Sequence, residues 1–143
     1  MILVDANLLI YAVTPGFAQH DAARAWLQDR LSGTAAVGMP WSSLLAFVRV
    51  VVNPRIFERP RSLPQAWIQV EEWLDRPQVW QPQATERHRH VLGGLLTGAV
   101  PQPDLVPDAH LAALAIEHGL TLCSTDGDFA RFRGLRWENP LPA

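Results

Sequence analysis

Residues 1–12 read Met1-Ile2-Leu3-Val4-Asp5-Ala6-Asn7-Leu8-Leu9-Ile10-Tyr11-Ala12, and this stretch decides the fold. Ile2, Leu3 and Val4 form a short, unbroken apolar run rich in β-branched residues, which suits a strand covered on both faces. Asp5 ends the run, and Asn7 and a second apolar segment follow at once. Either Asp5 or Asn7 therefore caps a helix, and the whole reads as strand, tight turn, helix. A carboxylate in that turn sits at the carboxyl end of a strand, the edge where open parallel α/β sheets bind ligands. On these residues alone, a plain helix cap is an equal reading.

The rest of the chain repeats the alternation. Helical spacing of Ala22, Ala23, Trp26 and Leu27 predicts a helix from about Gln19 to Leu31, and Ala35 to Met39 predicts a second strand. After Pro40-Trp41-Ser42-Ser43, a strongly apolar helix is expected over Leu44 to Val52, buried on most sides and ended by Asn53-Pro54. Residues 53–62 form the most basic loop, with Arg55, Arg59 and Arg61 around Phe57. Ser62 and Gln65 fit a capping box, with Pro64 in the first turn, for a helix reaching about Asp75 whose Trp67, Val70 and Leu74 share a core-facing side. Val79-Trp80-Gln81 suits a third strand. Thr85 is expected to start a helix that Gly93-Gly94 weakens, and residues 98–107 read as a loop. An alanine-rich helix follows from Val106 with Asp108 at its amino end and Gly119 as its cap. Leu120 to Ser124 is then a buried strand, Thr125-Asp126-Gly127-Asp128-Phe129 an acidic turn, and Leu135-Arg136-Trp137 a last short strand. Strands alternating with helices indicate one layered α/β domain over residues 1–143 with a mainly parallel sheet.

Composition narrows the chemistry. The chain has 143 residues, 48% of them apolar and 18% charged, which fits a folded domain. All twelve basic residues are arginine and none is lysine. Receiver-type phosphorylation domains and aspartyl-phosphate phosphatases, which need a lysine beside the phosphoryl group, are thereby disfavoured. No Gly-x-Gly-x-x-Gly turn or Walker loop is present. Cys123 is the only cysteine, so no internal disulfide forms and a cytoplasmic, reducing setting is expected. No basic leader or membrane-length apolar run is visible, and neither a signal peptide nor a membrane span is expected. The five histidines lack zinc-ligand spacing and read mostly as surface or capping groups, with His110 nearest the acidic positions.

Asp5 follows one strand, Asp108 opens a buried helix, and Asp126 and Asp128 follow another strand. If the two strands are neighbours, these carboxylates share one edge and repel one another unless a cation neutralises them. Oxygen ligands of this kind suit magnesium or manganese, which can activate water and stabilise the leaving oxygen of a phosphodiester. The competing reading is three unrelated caps, which gives no reason for two carboxylates around Gly127. Arg55, Arg59 and Arg61 read either as a solvated loop face or as contacts to an RNA backbone. Trp41 beside Ser42 is the tryptophan best placed for base stacking.

Asp5-Ala6-Asn7, the run Asp108-Ala109-His110-Leu111-Ala112-Ala113-Leu114-Ala115 and Ser124-Thr125-Asp126-Gly127-Asp128-Phe129, in that order, resemble the PIN-domain ribonucleases, and specifically the VapC toxins of type II toxin–antitoxin pairs. The likeness extends over Asn53-Pro54-Arg55 and the closing Leu135 to Pro140. It implies a PIN-like three-layer α/β/α domain and a magnesium- or manganese-dependent endoribonuclease acting on RNA, with tRNA and rRNA as candidate targets. It also implies a homodimer and inhibition by a cognate VapB-type antitoxin. It places Asp5, Asp108 and Asp126 at the metal, with Asp128 close by. The chain departs from the family at Ala46, as aligned on Leu45-Ala46-Phe47-Val48-Arg49, where a glutamate often stands; the number of metal ions is thereby left open. The alternatives weighed are a non-catalytic interaction module that keeps the fold and a DNA-directed structure-specific nuclease.

Overall fold

The computed structural model describes residues 1–98 and 102–142. Its strands are β1 (Ile2–Val4), β2 (Val37–Gly38), β3 (Val79–Trp80), β4 (Thr121–Cys123) and β5 (Arg136–Glu138). They form one sheet in the order β3-β2-β1-β4-β5 with every neighbouring pair parallel. β1 is central: Ile2 is level with Val37 on one side and with Thr121 on the other.

Successive side chains of a strand point to opposite faces, and β1 shows the consequence. Val4 enters a core shared with α1 (Ala6–Val13), α2 (His20–Ser32), α3 (Trp41–Val51) and α4 (Leu63–Leu74), whereas Leu3 enters a second core on the other face. That second core lies under α5 (His88–Thr97), α6 (Leu105–His118) and a 3₁₀ turn, Gly127–Arg131. The expected three-layer α/β/α arrangement with a parallel sheet is thus observed. β1 and β4 end at the same edge, so the turns carrying Asp5 and Asp126 are neighbours.

Local chemistry sets several boundaries. The Ser62 hydroxyl accepts from the Gln65 backbone while the Gln65 side chain accepts from the Ser62 backbone, which completes the predicted capping box of α4. Gly119 ends α6 at φ 67°, a left-handed conformation in which a Cβ would be strained. Ala109, Ala112, Ala113 and Ala115 are buried, so α6 lies close against its neighbours.

Four expectations are corrected. α3 starts at Trp41 and is not buried on most sides: Leu44, Phe47 and Val51 face the core, but Leu45 is 57% exposed. Continuous hydrophobicity hid a one-sided helix. On α4 the buried residues are Ala66, Val70 and Trp73, while Trp67 stacks at 6.3 Å on Trp41 at the surface. Trp41 is therefore already stacked, on a protein ring. α5 starts at His88, not Thr85, because the Thr85 hydroxyl accepts from the Arg87 backbone and donates to Glu117; it then continues through Gly93 and Gly94. α6 starts at Leu105, which puts Pro107 in the first helical turn, where its missing N–H costs nothing. Residues 99–101 of the predicted 98–107 loop lie outside the described residues. Among the described residues no helix is long and apolar enough to cross a membrane.

Candidate active site

Asp5 caps α1 and also faces the neighbouring strand turn. Its Oδ1 accepts from the Ala6 backbone at 2.8 Å and its Oδ2 accepts from the Ser124 hydroxyl at 2.7 Å. Ser124 is fully buried. Its hydroxyl also accepts from the Asn7 side-chain amide and from the Asp126 backbone, each at 3.0 Å. One hydroxyl thus ties both acidic turns together, and the Trp137 indole fixes the same residue by donating to its carbonyl at 3.1 Å. Asn7, read from sequence as an alternative helix cap, is not the cap and instead holds Ser124, to which sequence reasoning gave no role; the signal was a small polar residue two places from each aspartate.

Asp126 is the cap of the 3₁₀ turn, accepting from the Asp128 backbone at 2.9 Å. Asp128 does not cap the segment from Phe129. Its exposed carboxylate pairs with Arg131 at 3.1 Å, a contact of the solvated kind that contributes little to stability. Asp108 occupies the first turn of α6 and is half-buried.

The carboxylates act on one another. Burial pushes the Asp5 carboxyl up, against hydrogen bonds from Ser124 and Ala6 that lower it, and the Asp126 charge adds to the rise. Asp108 is pushed up to about 6, first by burial and then by the charges of Asp126, Asp5, Asp128 and Asp104. Such a site holds more negative charge than it can comfortably ionise, and a cation offsets that cost. Among the described residues no three Asp, Glu, His or Cys side chains stand close enough to hold one ion together. A hard cation such as magnesium, which retains several waters and needs only one or two direct carboxylates, would suit such a set.

Ala46 lies on α3 and brings no oxygen, and its helix neighbours Leu44, Leu45, Phe47 and Val48 bring none. Arg59 and Arg61 do not join the acidic edge. Arg61 donates to the Val13 carbonyl at 2.6 Å, at the far end of α1 from Asp5. An eight-residue helix sets these about 12 Å apart along its axis. A cleft of about 750 Å³ opens there, lined by Arg59, Arg61, Glu58 and Glu72, so its charge is mixed. Arg55 and Arg59 are exposed.

A polar cluster that the sequence did not reveal joins α5 to α6. Glu117 has no exposed side-chain surface and its carboxylate is 2.6 Å from the His88 Nδ1. The carboxylate also accepts from the Thr85 backbone at 2.9 Å and from the Thr85 hydroxyl at 2.6 Å, and the His88 Nε2 lies 3.1 Å from the His110 Nδ1. Two of the five histidines are thus partners in a partly buried network around Glu117.

Comparison with known proteins follows the same lines. The PIN-domain family model matches residues 2–135. Ribonuclease VapC37 of Mycobacterium tuberculosis is 44% identical over 140 residues, spanning 98% of this chain and 97% of its own. Ribonuclease VapC33 of the same species is 40% identical over 141 residues, 99% of each chain. The solved structure of VapBC2 from Rickettsia felis, bound to a DNA fragment from its promoter, has a TM-score of 0.69 at 19% identity and covers 97% of this chain and 98% of its own. That of M. tuberculosis VapC20, a sarcin-ricin loop cleaving toxin, has a TM-score of 0.67 at 19% identity, with 95% and 99% covered. These two likenesses are ones of fold.

Proposed function

The chain belongs to the PIN-domain family, with VapC ribonucleases as relatives along nearly its whole length, and from that premise we propose that it is the toxin of a type II toxin–antitoxin pair and cleaves RNA with magnesium or manganese held by Asp5, Asp108 and Asp126 directly or through the ion's waters. The observation that carries the metal reading is the gathering of Asp5, Asp126 and Asp108 at one sheet edge, where burial first and neighbouring carboxylate charges second push the carboxyls of Asp5 and Asp108 up, a cost that a divalent cation relieves. When bound, the ion supplies Lewis-acid activation of water and neutralises charge on the departing oxygen. The chain's own residues do the positioning. Ser124 holds the Asp5 carboxylate in one orientation, and the same hydroxyl fixes the backbone from which Asp126 projects. Asn7 restrains Ser124 in turn. The purified protein is expected to cut RNA with magnesium or manganese and to stop when EDTA is added; cleavage that persists in chelator contradicts the proposal.

Asp128 is assigned a supporting role at the reacting water, since the structure gives its carboxylate no capping bond. Asp128→Asn is expected to lower cleavage at least about tenfold with little change in stability. Activity equal to the parent across a magnesium titration would leave Asp128 only the pairing with Arg131.

Arg55 and Arg59 are proposed to meet the RNA backbone away from the cleaved bond, because they are exposed on the most basic loop. Replacing both with glutamine should weaken RNA binding and lower the slope of affinity against salt by about 0.7 per lost phosphate contact. An unchanged slope identifies a solvated surface. Arg61 is better read as an anchor for the loop, through Val13.

The VapBC names of the structural relatives support a VapB-type antitoxin as partner. A clustered set of carboxylates is a natural target for an antitoxin arginine, which binds them bidentately and competes with the metal. Homodimer formation belongs to the same proposal.

A further inference from the structure

A second recess adjoins the acidic edge. It is a cleft of about 300 Å³ lined by Gly94, Leu95 and Gly98 of the α5 end, Leu105 at the start of α6, and Arg131, Phe132 and Arg133 beyond the 3₁₀ turn. Leu105 and Phe132 are buried and form an apolar floor, whereas Arg131 and Arg133 are exposed at the rim. Leu105, which lines the cleft, precedes Asp108 by three residues, less than one turn and about 4.5 Å of rise along α6. Arg131 spans both: its guanidinium pairs with Asp128 at 3.1 Å and donates to the Gln102 side chain at 2.9 Å. Among the described residues Arg133 has no acidic partner.

We propose that this cleft, resting on the ribonuclease reading above, is a nucleotide subsite that takes one unpaired base of the RNA substrate beside the cleaved bond. An apolar recess of this size suits a single flat base, and sequence-specific RNA recognition commonly works on bases that are splayed out of a helix. The arginine rim supplies the charge that a flanking phosphate requires. A fully paired helix cannot enter a recess this small. The subsite thus selects single-stranded segments, loops and bulges, and presents the adjoining phosphate to Asp5, Asp108 and Asp126.

Gly94 provides a test that does not threaten folding. A Cβ placed there meets nothing within 4 Å, so Gly94→Leu adds bulk without a clash at a residue that lines the cleft, and loss of a helical glycine should raise the melting temperature. Gly93, equally open, does not line the cleft and serves as control. Binding of a short single-stranded oligoribonucleotide, and of the same strand annealed to its complement, is measured by fluorescence anisotropy on the full chain with EDTA present. Gly94→Leu is expected to bind the single strand about tenfold more weakly with an unchanged salt slope, and Gly93→Leu to match the parent. Arg133→Gln is expected to lower the slope by about 0.7. Affinity of Gly94→Leu equal to the parent, or a parent that prefers the duplex, overturns the subsite. Because binding is read without metal, failure here is distinguishable from failure of the ribonuclease reading, which shows as no metal-dependent cleavage by the parent.

Discussion

Asp108→Asn is expected to reduce RNA cleavage by about a hundredfold or more without lowering the melting temperature at pH 7.5. The two readouts diverge because of the site's electrostatics. Folding raises the Asp108 carboxyl to about 6, through burial and then the neighbouring aspartates. A carboxyl raised in this way favours the folded state while it is protonated, and that contribution is lost as pH rises through about 6. At pH 7.5 the ionised group opposes folding, and asparagine removes the opposition along with the proposed metal ligand. Asp5→Asn should abolish activity as well, but it also disturbs the bonds to Ala6 and Ser124. Asp108 is thus the cleaner test. Wild-type activity in Asp108→Asn contradicts the assigned role.

The second large effect concerns stability. Glu117→Leu should destabilise the fold by about 2–4 kcal/mol, because it leaves the half-buried Thr85 and His88 without their acceptor. That is a large share of the stability of an ordinary domain. Glu117→Gln, which keeps an acceptor oxygen, should lose less. Burial alone raises the Glu117 carboxyl, but the hydrogen bonds from the Thr85 side chain, His88 and the Thr85 backbone outweigh it and hold the carboxyl below its ordinary value. A carboxyl depressed on folding stabilises above its unfolded pKa, and the gain is lost as pH falls through the folded value. The gap between the parent and Glu117→Gln in urea unfolding should accordingly narrow in acid. A Glu117→Leu protein as stable as the parent would show the cluster to be incidental.

The parts of the fold that were legible in sequence share a cause. The run Ile2-Leu3-Val4 could only be a strand covered on both sides, and it is the central one. The capping box of Ser62 and Gln65 and the Gly119 stop are set by local hydrogen-bond needs, so neighbours in sequence suffice to read them. What was missed depends on contacts between distant residues. The apolar run of α3 says nothing about which side its neighbours cover, and Leu45 and Trp41 are left outside. Thr85 carries a helix-start signal, but a glutamate 32 residues away takes its hydroxyl. Asp5 illustrates a choice that did not need making: one carboxylate oxygen caps the helix while the other accepts from Ser124 of the neighbouring acidic turn, so the capping role does not exclude the proposed one. The position of Arg61 at the remote end of α1 likewise follows from packing that composition does not encode.

The assignment of the acidic edge to a divalent cation is tested most directly by titrating manganese into the 143-residue protein and its Asp108→Asn variant, with unbound manganese counted by electron paramagnetic resonance. The parent is expected to take up manganese at a saturable site, and the variant to bind at least about tenfold more weakly. Equal manganese affinity in the two proteins, or no uptake by the parent, would contradict it.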